Sequence, residues 1–314
     1  MIHDPVLLQP VVDYLRPNRE DGTLVDATVG LGGHAEALLE RYPRAHLVAI
    51  DRDPRALKLA RERLGRFGSR VTFAQGRHES LIDILKQSNL ETISGLVADL
   101  GVSSMQLDDA SRGFSFRLDA PLDMRMGPDS TTAATLVNGL EEHELARILR
   151  EYGEEPMARR IARAIVEARQ SAPIETTGQL AVIVRGVKKS KPRDIDPATL
   201  TFQALRIAAN EELVGLDRFI DDAVSVLESG ARIAVISFHS LEDRIVKRAL
   251  RRLKGECTCP PGMPVCGCGA KDLVSVLTGR PVTASEDEVN RNPRSRSAKL
   301  RVAERVAGRA GKQG

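Results

Sequence analysis

Residues 23–51 restrict the architecture of this chain more than any other stretch. Thr23–Asp26 (TLVD) is short and apolar, as a buried strand must be, and runs into Asp26-Ala-Thr-Val-Gly30-Leu-Gly32-Gly33-His34-Ala35. Glycines at 30, 32 and 33 let the backbone turn through positive φ and approach a ligand closely. A helical pattern follows from Gly33 to about Tyr42, and then a second apolar run, His46–Asp51 (HLVAID). Strand, glycine turn, helix and strand in that order specify a right-handed crossover, and hence a parallel sheet.

The alternation continues. Pro54–Leu64 reads as a helix with proline at its start, Val71–Gln75 and Leu96–Leu100 as strands, and a helix is expected near Ser80–Lys86 between them. From about 105 to 200 the periodicity is helical only, with helices over Glu141–Tyr152, Pro156–Arg169 and Thr177–Val187. A long helix is expected from about Pro197 to Leu227. Strand character returns at Ala231–Ser237, followed by a helix over Leu241–Leu253 and a last strand at Ala298–Glu304. The expectation is an α/β protein with a mostly parallel sheet and helices on both faces. Its core, 1–104 and 201–314, is interrupted by an all-helical domain over 105–200. A length of 314 residues exceeds what one hydrophobic core usually holds.

Net charge is only +3, but it is unevenly placed. Residues 185–193, 244–254 and 289–314 together carry about +18, which leaves about −15 elsewhere. Basic runs on an otherwise acidic chain point to a polyanionic partner. Tryptophan is absent and there are three Tyr and seven Phe, so an aromatic platform cannot be the main grip on nucleic acid. No stretch approaches the ~20 apolar residues of a membrane span, and the N-terminus lacks the pattern of a secretory signal. A soluble cytoplasmic protein is expected.

Gly30, Gly32 and Ala35 satisfy the dinucleotide pattern G-x-G-x-x-G/A, and Asp51 follows at the end of the second strand, placed to bind ribose hydroxyls. NAD and S-adenosylmethionine (SAM) both fit that pattern. Three features favour SAM. Asp26 offers a carboxylate where NAD would present phosphate. Asp51-Arg52-Asp53-Pro54 adds a second acid at the strand tip, awkward beside a pyrophosphate. Asp99, ending the fourth strand, brings a further acid to the same rim.

Beyond this turn the chain resembles the bacterial 16S rRNA cytidine-N4-methyltransferase family, called MraW or RsmH. The resemblance is carried by DATVGLGGH (26–34), AIDRDP (49–54), DLGVSSMQLDDASRGFSFRLDAPLDMRM (99–126), YGEEPMARRIARAI (152–165), TFQALRIAANEEL (201–213), SFHSLEDRIVKR (237–248) and NPRSRSAKLRVAER (292–305). It implies a Rossmann-like SAM-dependent methyltransferase core with an inserted helical substrate-recognition domain. It also implies methyl transfer to N4 of a cytidine in the P-site region of 16S rRNA, within the small subunit or a late assembly intermediate. The cofactor contacts it implies are Gly30, Gly32, Gly33, His34, Asp51, His78, Asp99 and Gln106. At His78 many members of the family have Phe.

Cytosine N4 is a poor nucleophile because its lone pair is delocalised into the ring. A group that accepts hydrogen bonds from the amine can redirect that lone pair, and the Pro-Pro-aromatic turn that many amino-methyltransferases use for this is absent after Asp99. Asp99 and His239, the latter in Ser237-Phe238-His239-Ser240 at a strand tip, are the catalytic candidates. Phe116 could stack on an extruded base, with Arg117, Arg125, Arg160 and Arg294 meeting phosphate. For Phe114 the reading that it pins the inserted domain to the core comes ahead of base stacking, and for Phe116 the two stand level. Cys257, Cys259, Cys266 and Cys268 form a C-x-C-x6-C-x-C cluster that leaves zinc, reduced thiols or a disulfide open, and no metal ligand set is assigned. Three other functions remain open at this point: an NAD-dependent oxidoreductase, a small-molecule methyltransferase and a non-catalytic ribosome-assembly factor.

Overall fold

The computed structural model describes residues 5–101, 109–127, 130–189, 196–256, 259 and 272–307. By internal contacts the chain divides into two units, 1–101 with 215–314, and 102–214.

The first unit is built on a seven-stranded sheet in the order β3-β2-β1-β4-β5-β7-β6. Its strands are β1 (Thr23–Asp26), β2 (His46–Asp51), β3 (Val71–Gln75), β4 (Ile93–Asp99), β5 (Leu227–Ser237), β6 (Val274–Val276) and β7 (Lys299–Arg305). β1 to β5 are parallel, whereas β7 runs antiparallel to both β5 and β6. Helices cover both faces, which is why the central strands read as continuous apolar runs. Leu24, Leu47, Ala49, Val97, Ala234 and Ile236 pack with α1 (Leu8–Tyr14), α2 (Gly33–Arg41) and α3 (Pro54–Leu64). Their neighbours of opposite parity, including Val25, Val48, Ile50, Leu96, Ala98, Ile233 and Val235, join another cluster. That cluster also takes in residues of α4 (Leu81–Gln87) and of the helices Leu216–Val226 and Ser240–Leu253. The Rossmann-like expectation is met.

The second unit is helical: α5 (Ala133–Gly139), α6 (Glu142–Gly153), α7 (Ala158–Arg169), α8 (Thr177–Val187) and α9 (Thr199–Asn210) enclose Leu145, Leu149, Ile161, Ile165, Leu180, Val184 and Leu205. Capping boxes start two of these helices: Glu141 with Glu144 at α6, and Thr176 with Gln179 at α8. In the first unit α10 (Leu216–Val226), α11 (Ser240–Leu253) and α12 (Glu286–Arg291) complete the helices used below.

Two sequence expectations need correction. The long helix over 197–227 is instead α9 and α10, separated by Glu211 at φ 52° and Gly215 at φ 71°. The hydrophobic period runs through the break because the two halves serve different cores, Phe202 and Leu205 in one and Phe219 and Ile220 in the other. The buried Asn210 side chain fixes the end of α9 by accepting from the Met126 N–H (2.7 Å) and donating to the Met124 carbonyl (2.7 Å). By internal contacts α9 groups with the helical unit, whose last residue is Val214. The second correction is β6, which the sequence did not announce: three residues are too few to show alternation. Among the described residues no helix is long and apolar enough to cross a membrane.

Candidate functional site

Parallel strands in register bring their carboxyl ends to one edge of the sheet. Asp26 closes β1 opposite Ala49 and Val97, Asp51 closes β2 opposite Gln75, and Asp99 closes β4 opposite Ile236. β1 and β4 are adjacent and the chain builds outward from them in both directions, so a ligand crevice is expected at their tips.

The glycine turn is held by that edge. Gly30 (φ 52°) and Gly32 (φ 79°) take left-handed conformations that a side chain would strain. The Gly30 N–H donates to Asp51 Oδ2 (2.8 Å), and the Asp53 N–H donates to Asp51 Oδ1 (2.8 Å). Asp51 thus ties the turn to its own strand tip, while each oxygen keeps lone-pair capacity for a hydroxyl. Asp53 caps α3 by accepting from the Arg55 N–H (2.9 Å), which explains that second acid as a helix start. A Cβ on Gly33 would fall 2.2 Å from Pro5 Cγ. His34 is buried; its Nε2 lies 2.9 Å from the Val6 carbonyl and its Nδ1 3.9 Å from Asp99 Oδ2.

The acids are perturbed together. Burial pushes Asp26 up from 3.8 to about 7, with the negative charge of Asp51 adding to it against the opposing Thr28 N–H hydrogen bond. Burial also raises Asp51 above the usual carboxylate range, although the Asp53 and Gly30 N–H groups oppose it. Asp99 is raised well above that range by burial, then by Asp26 and Glu242. Its backbone N–H donates to Thr28 Oγ1 (2.6 Å), but its buried Oδ1 has no hydrogen-bond partner among the described residues. Three desolvated carboxylates that repel one another, one with an orphaned oxygen, fit a ligand bringing positive charge and hydroxyl donors. They do not fit a pyrophosphate, which would add charge of the wrong sign, so the NAD reading has no support in the geometry. The residues present suit SAM.

His78 opens a short 3-10 turn after β3 and meets Phe219 edge to face, with ring centroids 4.8 Å apart. Burial holds it below the ordinary imidazole value, and its Nε2 is buried with no partner among the described residues. Gln106, Cys257, Cys266 and Cys268 lie outside the described residues.

His239 sits at the tip of β5 as the N-cap of α11. Its Nδ1 accepts from the Glu242 N–H (3.4 Å), and Glu242 Oε2 accepts from the Phe238 N–H (2.8 Å). Its Nε2 stands 3.2 Å from Glu242 Oε1. Only Nδ1 is committed to shaping the strand end, since Nε2 is buried without a hydrogen-bond partner among the described residues. Sequence reasoning passed over Glu242 and Thr28, although His239-x-x-Glu242 has capping-box spacing, the signal that could have found the first of them.

The remaining predicted residues divide by environment. Phe114 is buried and Phe116 half-buried in the helical core, the latter edge to face with Phe202 at 4.7 Å and under the Arg185 guanidinium. Arg125 makes a bidentate pair with Asp123, both contacts at 2.8 Å. The Arg117 and Arg160 side chains are exposed and pair with no acid among the described residues. Arg294, in the 3-10 turn Pro293–Ser297 of the first unit, is half-buried.

Comparison with known proteins gives a single answer. Residues 1–306 match the model of the MraW methylase family. A "Ribosomal RNA small subunit methyltransferase H" of Geobacter sulfurreducens is 52% identical over 308 residues, covering 97% of this chain and 99% of that one. The proteins of the same description from Trichlorobacter lovleyi and Symbiobacterium thermophilum are 51% and 50% identical. They cover 97% and 96% of this chain, and 98% and 95% of their own lengths.

Proposed function

The chain belongs to the MraW methylase family, and from that premise we propose that it is a SAM-dependent methyltransferase that methylates the exocyclic N4 of a cytidine in the P-site region of 16S rRNA. The substrate is the small ribosomal subunit or a late assembly intermediate, and the protein works in the cytoplasm. The observation that carries the reading is the acid-rimmed tip of β1, β2 and β4, where Asp99 Oδ1 is buried without a partner among the described residues.

SAM, when bound, supplies an electrophilic methyl group on a sulfonium. Everything else is the work of the chain. Gly30, Gly32 and Gly33 admit the ligand close to the backbone, Asp51 accepts from the ribose hydroxyls, and His34, His78 and Gln106 complete the cofactor contacts. Asp26 and Asp99 supply the negative field. A cation beside them favours their ionised forms, which burial disfavours in the free protein. Ionised Asp99 would accept from the cytosine amine and turn its lone pair toward the sulfonium methyl; the N4–methyl bond would form as the methyl–sulfur bond breaks, S-adenosylhomocysteine would leave, and the amine proton would pass to Asp99 or solvent. The amine becomes acidic only once methylated, so a strong pre-formed base is unnecessary. Alignment contributes more than proton transfer: oriented pairs gain ~7–11 kcal/mol, against ~10²–10⁴-fold for acid–base help. His239 acts by holding the β5 tip through Glu242. Phe116, Arg117, Arg125, Arg160 and Arg294 are assigned to the RNA.

The test is incubation of the protein with methyl-labelled SAM and small subunits that lack the modification, followed by nucleoside analysis of the rRNA. Label in N4-methylcytidine is expected. Label absent from every cytidine would overturn the proposal.

A further inference from the structure

The basic residues of the helical unit are not equivalent. The helix α7 carries four arginines, and the structure sorts them. Arg163 is within 3.7 Å of Glu142, and Arg169 donates to the Val137 carbonyl (2.7 Å), so both are engaged inside the unit. Arg159 and Arg160 are exposed and make no ion pair among the described residues, and the same holds for Arg150 near the end of α6. These three free cations border a single cleft of about 590 Å³ whose other lining residues are Glu155, Pro156, Met157 and Ala158.

Glu155 decides the sign of the cleft. A carboxylate there would neutralise one arginine and repel an anion. Glu155, however, is buried and already spent: Oε2 is 2.8 Å from Lys188 Nζ, and Oε1 accepts from the Met157 N–H (3.0 Å). The rim therefore keeps its positive charge, while Pro156, Met157 and Ala158 offer an apolar floor. Guanidinium groups match phosphate oxygens with two parallel hydrogen bonds, and an apolar floor suits the face of a ribose or base. The volume lies within the range of pockets that hold one small organic group.

We propose that the cleft between α6 and α7 is a docking site for one nucleotide of the RNA substrate, with Arg150, Arg159 and Arg160 gripping its phosphodiester and the Pro156–Ala158 floor taking its sugar or base. The proposal rests on the reading of the protein as an rRNA methyltransferase. It adds a contact point remote in sequence from the methyl-transfer residues, one that fixes the substrate without taking part in the chemistry.

The experiment compares binding of unmodified small subunits to the full-length wild-type protein and to the triple variant R150A/R159A/R160A over a range of salt concentrations. Each lost phosphate contact reduces the slope of log K against log salt by about 0.7–0.9. Because the three arginines share one phosphodiester, the triple variant is expected to show a slope smaller by about 0.7–0.9 and affinity reduced roughly five- to eightfold near 0.1 M salt. SAM affinity by calorimetry should be unchanged, which establishes that the variant is folded. The R150K/R159K/R160K variant keeps the charges and should retain the wild-type slope. Arg147→Ala, which removes an equally exposed charge paired with Glu151, should leave the slope near wild type. An unchanged slope in the alanine triple variant, an equal loss in Arg147→Ala, or failure of the wild type to bind subunits would each overturn the proposal. The predicted loss of binding in a protein that methylates no cytidine would support the cleft and overturn the methyltransferase reading instead.

Discussion

Asp26→Asn should make the cofactor-free protein more stable while weakening its grip on the cofactor. Asp26 is 2% exposed, and its pKa rises from 3.8 to about 7 on folding. The folded chain thus holds the proton more tightly than the unfolded chain. A raised carboxylate contributes stability that is complete below about pH 4 and is lost as the pH climbs towards 7. At about 1.36 kcal/mol per pH unit between those two values, the ionised form costs at most about 4 kcal/mol. Asparagine has the same shape, can still accept the Thr28 N–H bond now made at 3.2 Å, and does not titrate. The variant should therefore match the wild type near pH 4 and exceed it by about 2–4 kcal/mol at pH 8. With a urea dependence of about 1–3 kcal/mol per molar, the unfolding midpoint at pH 8 should rise by about 1 M or more. The assay is urea unfolding of both dialysed proteins at pH 4.5, 6 and 8, with the difference in midpoint as the readout, so that contributions common to both cancel. Calorimetry at pH 8 should show weaker SAM binding by the variant. A midpoint difference independent of pH, or a variant less stable at pH 8, would refute the claim that burial and Asp51 hold this carboxyl protonated.

Three further outcomes follow from the same geometry. Asp99→Asn should abolish most turnover while stabilising the cofactor-free protein at high pH, since Asp99 is also raised by burial and its acidic neighbours; unchanged turnover removes it as the amine acceptor. Binding of SAM near neutral pH should release protons as Asp26, held at about 7, ionises, visible as a binding enthalpy that varies with the ionisation enthalpy of the buffer; no such variation would count against the electrostatic account. His239→Ala should lower turnover far more than SAM affinity, and should cost about 1 kcal/mol of stability through the lost α11 cap; unchanged turnover would leave His239 with a purely structural part.

Much of the fold was readable because its signals are local. Val25, Val48, Ile50, Leu96 and Ala98 lie in runs whose alternate members face opposite helical layers, and such runs, separated by a glycine turn and helical stretches, imply a parallel sheet. Features without a local signal were missed or misjudged. β6 is too short to carry a pattern, and it exists because β7 offers it an edge. The helix expected over 197–227 breaks where Asn210 bonds to residues about 85 positions earlier, a contact no window of sequence contains.

The sequence by itself determined that there would be a glycine turn at the end of a first strand, that acids would stand at three strand ends, and that basic residues would gather in a few segments. Those are matters of residue type and spacing, which local propensity and the twist of a βαβ unit translate directly into structure. What the acids and arginines are worth was decided only by the tertiary structure. A carboxylate is ordinary or strongly perturbed according to the water and charges around it, and Asp26, Asp51 and Asp99 become perturbed because the sheet register buries them side by side. An arginine is a free cation or a spent one according to what folds against it, as Arg163 and Arg160 show from adjacent turns of one helix. Burial and Coulomb interaction act through space, and residues distant in the chain supply both.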